Sequence, residues 1–257
     1  KSLRKGFIKI NSHKVSSKYK LLRNDVIAIF NYSDEAYAHV PKKYIKKIIS
    51  GELLKKFQSS IIYENKNFFI LDKWSGIATQ EGSKIDISID HIIKSVSLDY
   101  NLVHRLDRET SGLLIIAKNL RYTKIFGKLF KEHNINKIYL ATCQGCPQNP
   151  ESDIRLPIHS NDKKNKFSET ITRYKVLLNK NKLSIILFNP LTGKKHQIRI
   201  VSKHLGCPII GDRKYNKQSK YASEKLKLNA HYLQFTLEKK EYEFSSILPL
   251  HFSNFLK

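Results

Sequence analysis

The longest apolar stretches of the chain, Leu113 to Ala117 and Leu183 to Phe188, are each the length of one β-strand. A membrane helix needs about twenty consecutive apolar residues, so these stretches point to strands buried in a soluble core. Strands also dominate the pattern around them. Ile61 to Lys73 reads as two β-rich runs about a polar turn, and Ile138 to Cys143 as a strand. Thr170 to Leu178 and Lys182 to Phe188 read as a pair joined at Asn179-Lys180, and Asn229 to Leu237 and Tyr242 to Leu248 as closing strands. Helices are expected at Asp86 to Ser97, where Ile89, Ile92, Ile93 and Val96 share one face, at Asn119 to Glu132, and at Gly193 to Leu205. Many strands, few helices and no strand–helix alternation predict an α+β fold with a mainly antiparallel mixed sheet. At 257 residues, 40% of them apolar, the chain is long enough to bury such a core.

Three regions emerge from the same pattern. Residues 1–32 form a compact basic α+β unit: a helix end capped near Gly6, a short strand, a turn at Asn11-Ser12, a second strand at Lys14-Val15, and a last strand after Asn24-Asp25. Residues 33–60 lack a sustained apolar period and read as a linker with room for one short helix. Residues 61–257 form the main domain.

Charge narrows the function. The chain carries 47 Lys+Arg against 22 Asp+Glu, a net +25 at pH 7. Such an excess draws polyanions, nucleic acid above all, although solubility or a Lys- and Ile-rich composition would also produce it. The three cysteines make no disulfide framework, and no secretory leader opens the chain, so a reducing cytoplasm is expected. Cys143-Gln144-Gly145-Cys146 has only Cys207 and scattered histidines to complete four ligands, and it closes a strand instead of opening a helix. Neither zinc nor redox chemistry is expected from it. His104, His196 and His204 lack the spacing of a metal-binding pair. The chain has no methionine, which implies that it begins after the native start.

Asp107 lies in His104-Arg105-Leu106-Asp107-Arg108-Glu109-Thr110-Ser111-Gly112. Taken alone, such a run reads as a turn whose aspartate caps the next stretch of backbone. Its continuation into the apolar strand Gly112 to Lys118 instead places a polar loop at the edge of a rigid sheet, where functional groups concentrate.

The whole run resembles the "HRLD-x-x-TSG-(L/V)-L" signature of the RluA/RluC-type pseudouridine synthases. Further pieces of that family's pattern recur in order: Glu64-Asn65 with Leu71-Asp72-Lys73-Trp74-Ser75-Gly76, Lys137-Ile138-Tyr139-Leu140-Ala141, and Phe167-Ser168-Glu169-Thr170. Thr192-Gly193-Lys194-Lys195-His196-Gln197-Ile198-Arg199 and Leu205-Gly206-Cys207-Pro208-Ile209-Ile210-Gly211-Asp212 complete it. Together they span residues 61–252. The resemblance implies a catalytic domain of pseudouridine synthase type, in which an aspartate attacks a uridine and the freed base rotates and rejoins its ribose through a ring carbon, without a cofactor. By resemblance Asp107 is the carboxylate, and Arg199 is its basic partner, expected to hold it with two parallel hydrogen bonds. Tyr139 is the base platform that assists proton removal, although a core tyrosine on a strand would look the same. Arg105 is implied to fill the gap left by the flipped nucleotide, and His104 and His196 to serve as hydrogen-bonded scaffolding. Lys194 takes part in substrate binding, and Ile209 or Ile210 is an apolar pocket wall, where core packing is an equal alternative.

Residues 1–32 resemble the S-four-type RNA-binding domain, through Arg4-Lys5-Gly6-Phe7-Ile8-Lys9-Ile10-Asn11 and an ending at Asn24-Asp25 in which Asn24 replaces glycine. That domain's first helix is absent. Arg4, Lys5, Lys9 and Lys14 are its implied phosphate contacts. The arrangement of an S-four-type domain, a linker and Ile61-Ile62-Tyr63-Glu64 is that of the RluC-like members, which implies large-subunit ribosomal RNA as partner and substrate. Transfer RNA, or a non-catalytic role in ribosome assembly, are the alternatives. A monomer with no membrane and no obligatory protein partner is expected. Lys194 in place of arginine, Trp74 in place of proline and Asn229 in place of histidine depart from the family pattern.

Overall fold

The computed structural model describes residues 2–30, 47–82, 85–159 and 167–253. The chain divides into two compact units, Lys1–Ile45 and Lys46–Lys257.

In the first unit, helix α1 (Ser2–Lys5) ends where Gly6, at φ +78°, donates its N–H to Leu3. Strand β1 (Ile8–Ile10) pairs antiparallel with β2 (Ile27–Ile29). The strand expected at Lys14-Val15 does not form, because left-handed Asn11 and Ser12 turn the chain so tightly that Ile10 bridges back only to His13. A polar clasp holds the loop that replaces it. Asn11 donates to Asp25 at 2.7 Å and accepts from the Val26 N–H, and Asp25 accepts from the Leu22 N–H. The first part of the expected linker, through residue 46, lies outside the described residues. Its last part is ordered: Ser50 caps helix α2 (Gly51–Ser59), whose Phe57 is buried edge-on against Phe69.

The second unit is built on one ten-stranded mixed sheet. Its strands are β3 (Ile61–Glu64), β4 (Phe68–Lys73), β5 (Asn101–Leu102), β6 (Ser111–Ala117), β7 (Ile135–Gln144), β8 (Glu151–His159), β9 (Phe167–Lys180), β10 (Leu183–Pro190), β11 (Leu228–Leu237) and β12 (Lys240–Ser245). The order is β3-β4-β6-β11-β7-β10-β9-β8, with β5 beside β6 and β12 beside β11. Among the described strands, only β6 and β11 pair in parallel. Strand β8 carries Pro157 and was not among the expected strands; at the sheet edge the missing proline N–H costs no ladder bond.

The apolar run at 112–117 is the middle of this sheet, and all seven residues of β6 are buried. Helix α3 (Ile89–Val96) packs Ile89, Ile92 and Ile93 into the core, and α4 (Leu120–Lys131) packs Phe126 against Phe68. Helices α5 (Gln197–His204) and α6 (Leu250–Ser253) complete the unit. Each fully buried leucine or isoleucine contributes about 1.5–3 kcal/mol, so β6 is a stiff base for whatever is attached to its start. No helix among the described residues is long and apolar enough to cross a membrane.

Two features fix the loop that enters β6. Gly112 sits at φ +107° with β11 so close that a Cβ would run into the Ala230 backbone, 2.7 Å from its nitrogen, so only glycine fits. Farther along, where β11 no longer pairs with β6, the Ile115 N–H donates to His104 Nε2 at 2.8 Å. The neutral imidazole is the form that accepts this bond, and burial, with help from Lys137, lowers the His104 pKa to about 3.

Above its ordinary value of 6.5, His104 is neutral in both folded and unfolded chains, and its contribution to stability is complete. As pH falls below that value, the unfolded chain takes up a proton that the folded imidazole refuses, and stability declines toward the folded pKa. A glutamine at 104 can accept the same N–H without titrating. The unfolding free energy of His104→Gln, measured by urea titration across this range, should therefore fall less steeply with acid than that of the wild type. Equal slopes would refute the assignment.

Candidate active site

Residues 73–79 clamp the Asp107 loop from one side. Arg108 donates from Nε to the Gly76 carbonyl at 2.9 Å, Gly76 N–H returns a bond of 2.9 Å to the Arg108 carbonyl, and Ser75 donates to the Glu109 carbonyl. Thr79 both donates to the Leu106 carbonyl (2.7 Å) and accepts from its N–H (3.1 Å). Lys73 is wholly buried beneath the loop and donates to the carbonyls of Trp74, Ile77 and Arg108. Burial lowers its pKa to about 7, opposed by Glu109 and Asp107. A run that the sequence holds well apart from Asp107 is thus the other half of its loop.

The opposite wall comes from the loop before α5. The helix starts at Gln197, four residues after the expected Gly193, because His196 takes a left-handed conformation at φ +57°. Buried Gln197 satisfies both ends of its amide: Oε1 accepts from Thr192 Oγ1 and the Lys194 N–H, and Nε2 donates to Thr172 and the Ile171 carbonyl. Further into the helix, Arg199 meets two carboxylates. Its Nε and Nη2 bind Asp212 at 2.8 and 2.7 Å, and its Nη1 lies 3.4 Å from Asp107 Oδ2.

This corrects the expected pairing. The two parallel bonds of the guanidinium go to Asp212, which is 1% exposed, and Asp107 receives a single longer contact. Gly211, at φ +77°, brings the chain so close to the Lys225 carbonyl that a side chain has no room, and this places Asp212 under Arg199. Burial pushes the Asp212 carboxyl up, but Arg199 and the Tyr215 and Lys214 N–H groups outweigh it and hold it below its ordinary range. His196 Nε2 also approaches Asp107 Oδ2, at 3.6 Å. Both contacts fall on the same carboxylate oxygen.

A cavity of about 660 Å³ opens above this array, within the roughly 300–1,000 Å³ of small-molecule sites. Arg105, Asp107, Tyr139, Lys194, His196 and Arg199 all line it, together with His104. Tyr139 stands on β7 in a row that runs across the sheet through Ala230 to Gly112, level with the end of the Asp107 loop. Burial, then the Asp107 charge, raises its phenol pKa. Ile209 and Ile210 do not line the cavity. Ile209 bridges Cys143 and Ile210 N–H bonds the Thr142 carbonyl, which turns both side chains into the core, at 1% and 0% exposure. The apolar walls are Val103, Leu106, Phe130, Ile198 and Leu228.

The departures from the family pattern fall mostly outside the cavity. Asn229 is buried and ties Ser111 to Ser246, and Trp74 packs on the core under the Lys56 ammonium. Cys143, Cys146 and Cys207 are free thiols, and no group of His, Cys, Asp or Glu among the described residues is placed to hold a metal ion. In the first unit Arg4, Lys5 and Lys14 are exposed, and Lys9 lies over the Phe30 ring.

Residues 67–204 match the RNA pseudouridylate synthase family. The ribosomal large subunit pseudouridine synthase C of Rickettsia bellii is 38% identical over 231 residues, covering 84% of this chain and 76% of that protein. Its counterpart in Rickettsia felis is 37% identical over 276 residues, covering 99% and 88%. The solved structure of human RNA pseudouridylate synthase domain containing 4 shares the fold, with a TM-score of 0.70 at 22% identity over 80% of this chain and 94% of that one. With a family match over more than half of its length and relatives along nearly all of it, the chain belongs to the RNA pseudouridylate synthases.

Proposed function

We propose that the protein isomerises uridines of large-subunit ribosomal RNA, with Asp107 as the nucleophile. The reading is carried by one observation: Asp107 is a partly exposed carboxylate at the base of a cavity, held on a single oxygen by a guanidinium that is itself fixed from behind. Attack by Asp107 on the ribose breaks the N1–C1′ bond of uridine. The freed base turns within the cavity, C5 bonds to C1′ and displaces the Asp107 carboxylate from it, and the C5 proton leaves while N1 regains one, so the enzyme is restored and no cofactor is consumed. Tyr139 stacks on the base and assists transfer of the C5 proton. Arg199 aligns Asp107 through its contact to Oδ2. Arg105 on the exposed rim occupies the gap left by the extruded nucleotide, and Lys194 and Lys195 meet the backbone. The names of the relatives in two Rickettsia species support a ribosomal substrate, and the net charge of +25 supports a polyanionic one. We place the protein in the cytoplasm, acting as a monomer without an obligatory protein partner, and assign phosphate contacts in the first unit to Arg4, Lys5, Lys9 and Lys14.

Asp107→Asn should abolish pseudouridine formation on a 23S-type transcript while leaving RNA affinity within about threefold, read by tritium release from 5-tritiated uridine and by filter binding; turnover by this variant would sink the nucleophile assignment. Arg199→Lys replaces a fork that reaches both carboxylates with a point charge. Its kcat should drop by about a hundredfold and its melting temperature should fall as well, because buried Asp212 loses a two-bond partner; wild-type turnover would refute the role. Charge reversal of Arg4, Lys5 and Lys14 together should weaken RNA binding and flatten the plot of log K against log salt, by about 0.7–0.9 for each phosphate that is no longer neutralised. An unaltered slope would remove the first unit from the RNA interface.

A further inference from the structure

Tyr215 lies outside every motif that the sequence singled out, yet it touches both groups that approach Asp107. Its position is set by Asp212, whose Oδ1 accepts the Lys214 and Tyr215 N–H groups at 3.0 and 2.9 Å. The turn lays the Tyr215 ring 5.2 Å from the Arg199 guanidinium and edge-on to the His196 ring, at 81°. The phenol oxygen is 3.0 Å from His196 Nδ1, while His196 Nε2 faces Asp107 Oδ2 at 3.6 Å.

Hydrogen-bond roles follow from the ends of this chain. An ionised carboxylate can only accept, so a neutral imidazole that serves Asp107 carries its proton on Nε2 and has a bare Nδ1. The phenol stands where it can donate to that bare nitrogen. We propose that Tyr215 is a positioning residue for the isomerisation: its hydroxyl donates to His196 Nδ1, fixes the Nε2–H tautomer, and so aims a neutral donor at Asp107 Oδ2. Oδ1 is left as the reactive oxygen. The surroundings agree with a neutral ring. Burial lowers the proton affinity of His196, Asp107 raises it, and Arg199, Lys214 and Lys195 lower it again. The Nε2 contact is longer than a formed hydrogen bond, as catalytic contacts in unliganded sites often are. The left-handed backbone of His196 carries an energetic cost for a non-glycine residue and turns the ring into the site.

The proposal rests on Asp107 acting as assigned above, and its test separates the two. In wild-type protein with 15N-labelled histidine, long-range proton–nitrogen spectra should show His196 as the Nε2–H tautomer near pH 7, and should show it mixed in Tyr215→Phe. An Nδ1–H tautomer in the wild type overturns the proposal whether or not the protein makes pseudouridine. In kinetics, Tyr215→Phe should lower kcat about tenfold with KM for RNA within twofold and the melting temperature nearly unchanged. His196→Gln keeps an N–H donor but offers no nitrogen acceptor, and in that background the tyrosine substitution should cost less than twofold, because its effect passes through the imidazole. The same fold-loss in both backgrounds, or no loss in the wild-type background, would show that Tyr215 does not act through His196.

Discussion

The Arg199 guanidinium, shared between Asp212 and Asp107, is the interaction on which the site depends. Placing one cation and two carboxylates at a largely desolvated point is costly unless their hydrogen bonds are satisfied, and removing one partner of such a buried group typically costs about 3–5 kcal/mol. Asp212 offsets that penalty, with two guanidinium bonds and two backbone N–H donors on one buried carboxylate. The pair Arg199–Asp212 is therefore a rigid fixture, neutral as a unit. It presents one remaining N–H face to the cavity.

Asp107 reaches that face from the loop that enters β6, and this loop owes its shape to different forces. Gly112 must be glycine because β11 crowds the start of β6. His104 closes a ladder position that β11 has vacated, and Thr79 pins the residue before Asp107 at both its donor and its acceptor. Beneath them, Lys73 directs its ammonium protons at three carbonyls of two loops. A lysine there is weakened as a cation by its own burial, yet it gives a donor to the Trp74 and Ile77 carbonyls and a second one to the Arg108 carbonyl, which Gly76 already serves.

The sheet was legible because an apolar run of strand length admits few other readings, and β6, β7 and β10 lie close to where the pattern places them. The edge strand β8 was not, since Pro157 and alternating charges hide its period. In the site, charged residues recognisable by their chemistry, Asp107 on its polar loop and Arg199 on α5, were found in the cavity. Ile209 and Ile210 were not, because an apolar residue beside a motif can face a pocket or the core, and only the backbone bonds to β7 decide which. Asp212 and Tyr215 escaped for another reason: their partners lie 13 and 19 residues away in sequence, and no local period encodes such a pairing.

The corrected pairing of Arg199 bears on reactivity. Two parallel guanidinium bonds on Asp107 would hold both its oxygens and damp the nucleophilicity that its proposed role requires. In the observed geometry the strong bonds fall on Asp212, and Asp107 keeps one contact of 3.4 Å and one of 3.6 Å, both on Oδ2. A weak, single-sided hold aligns the carboxylate through Oδ2, while leaving Oδ1 without either partner. The strength of the array lies on buried Asp212, and its looseness on the carboxylate proposed to attack.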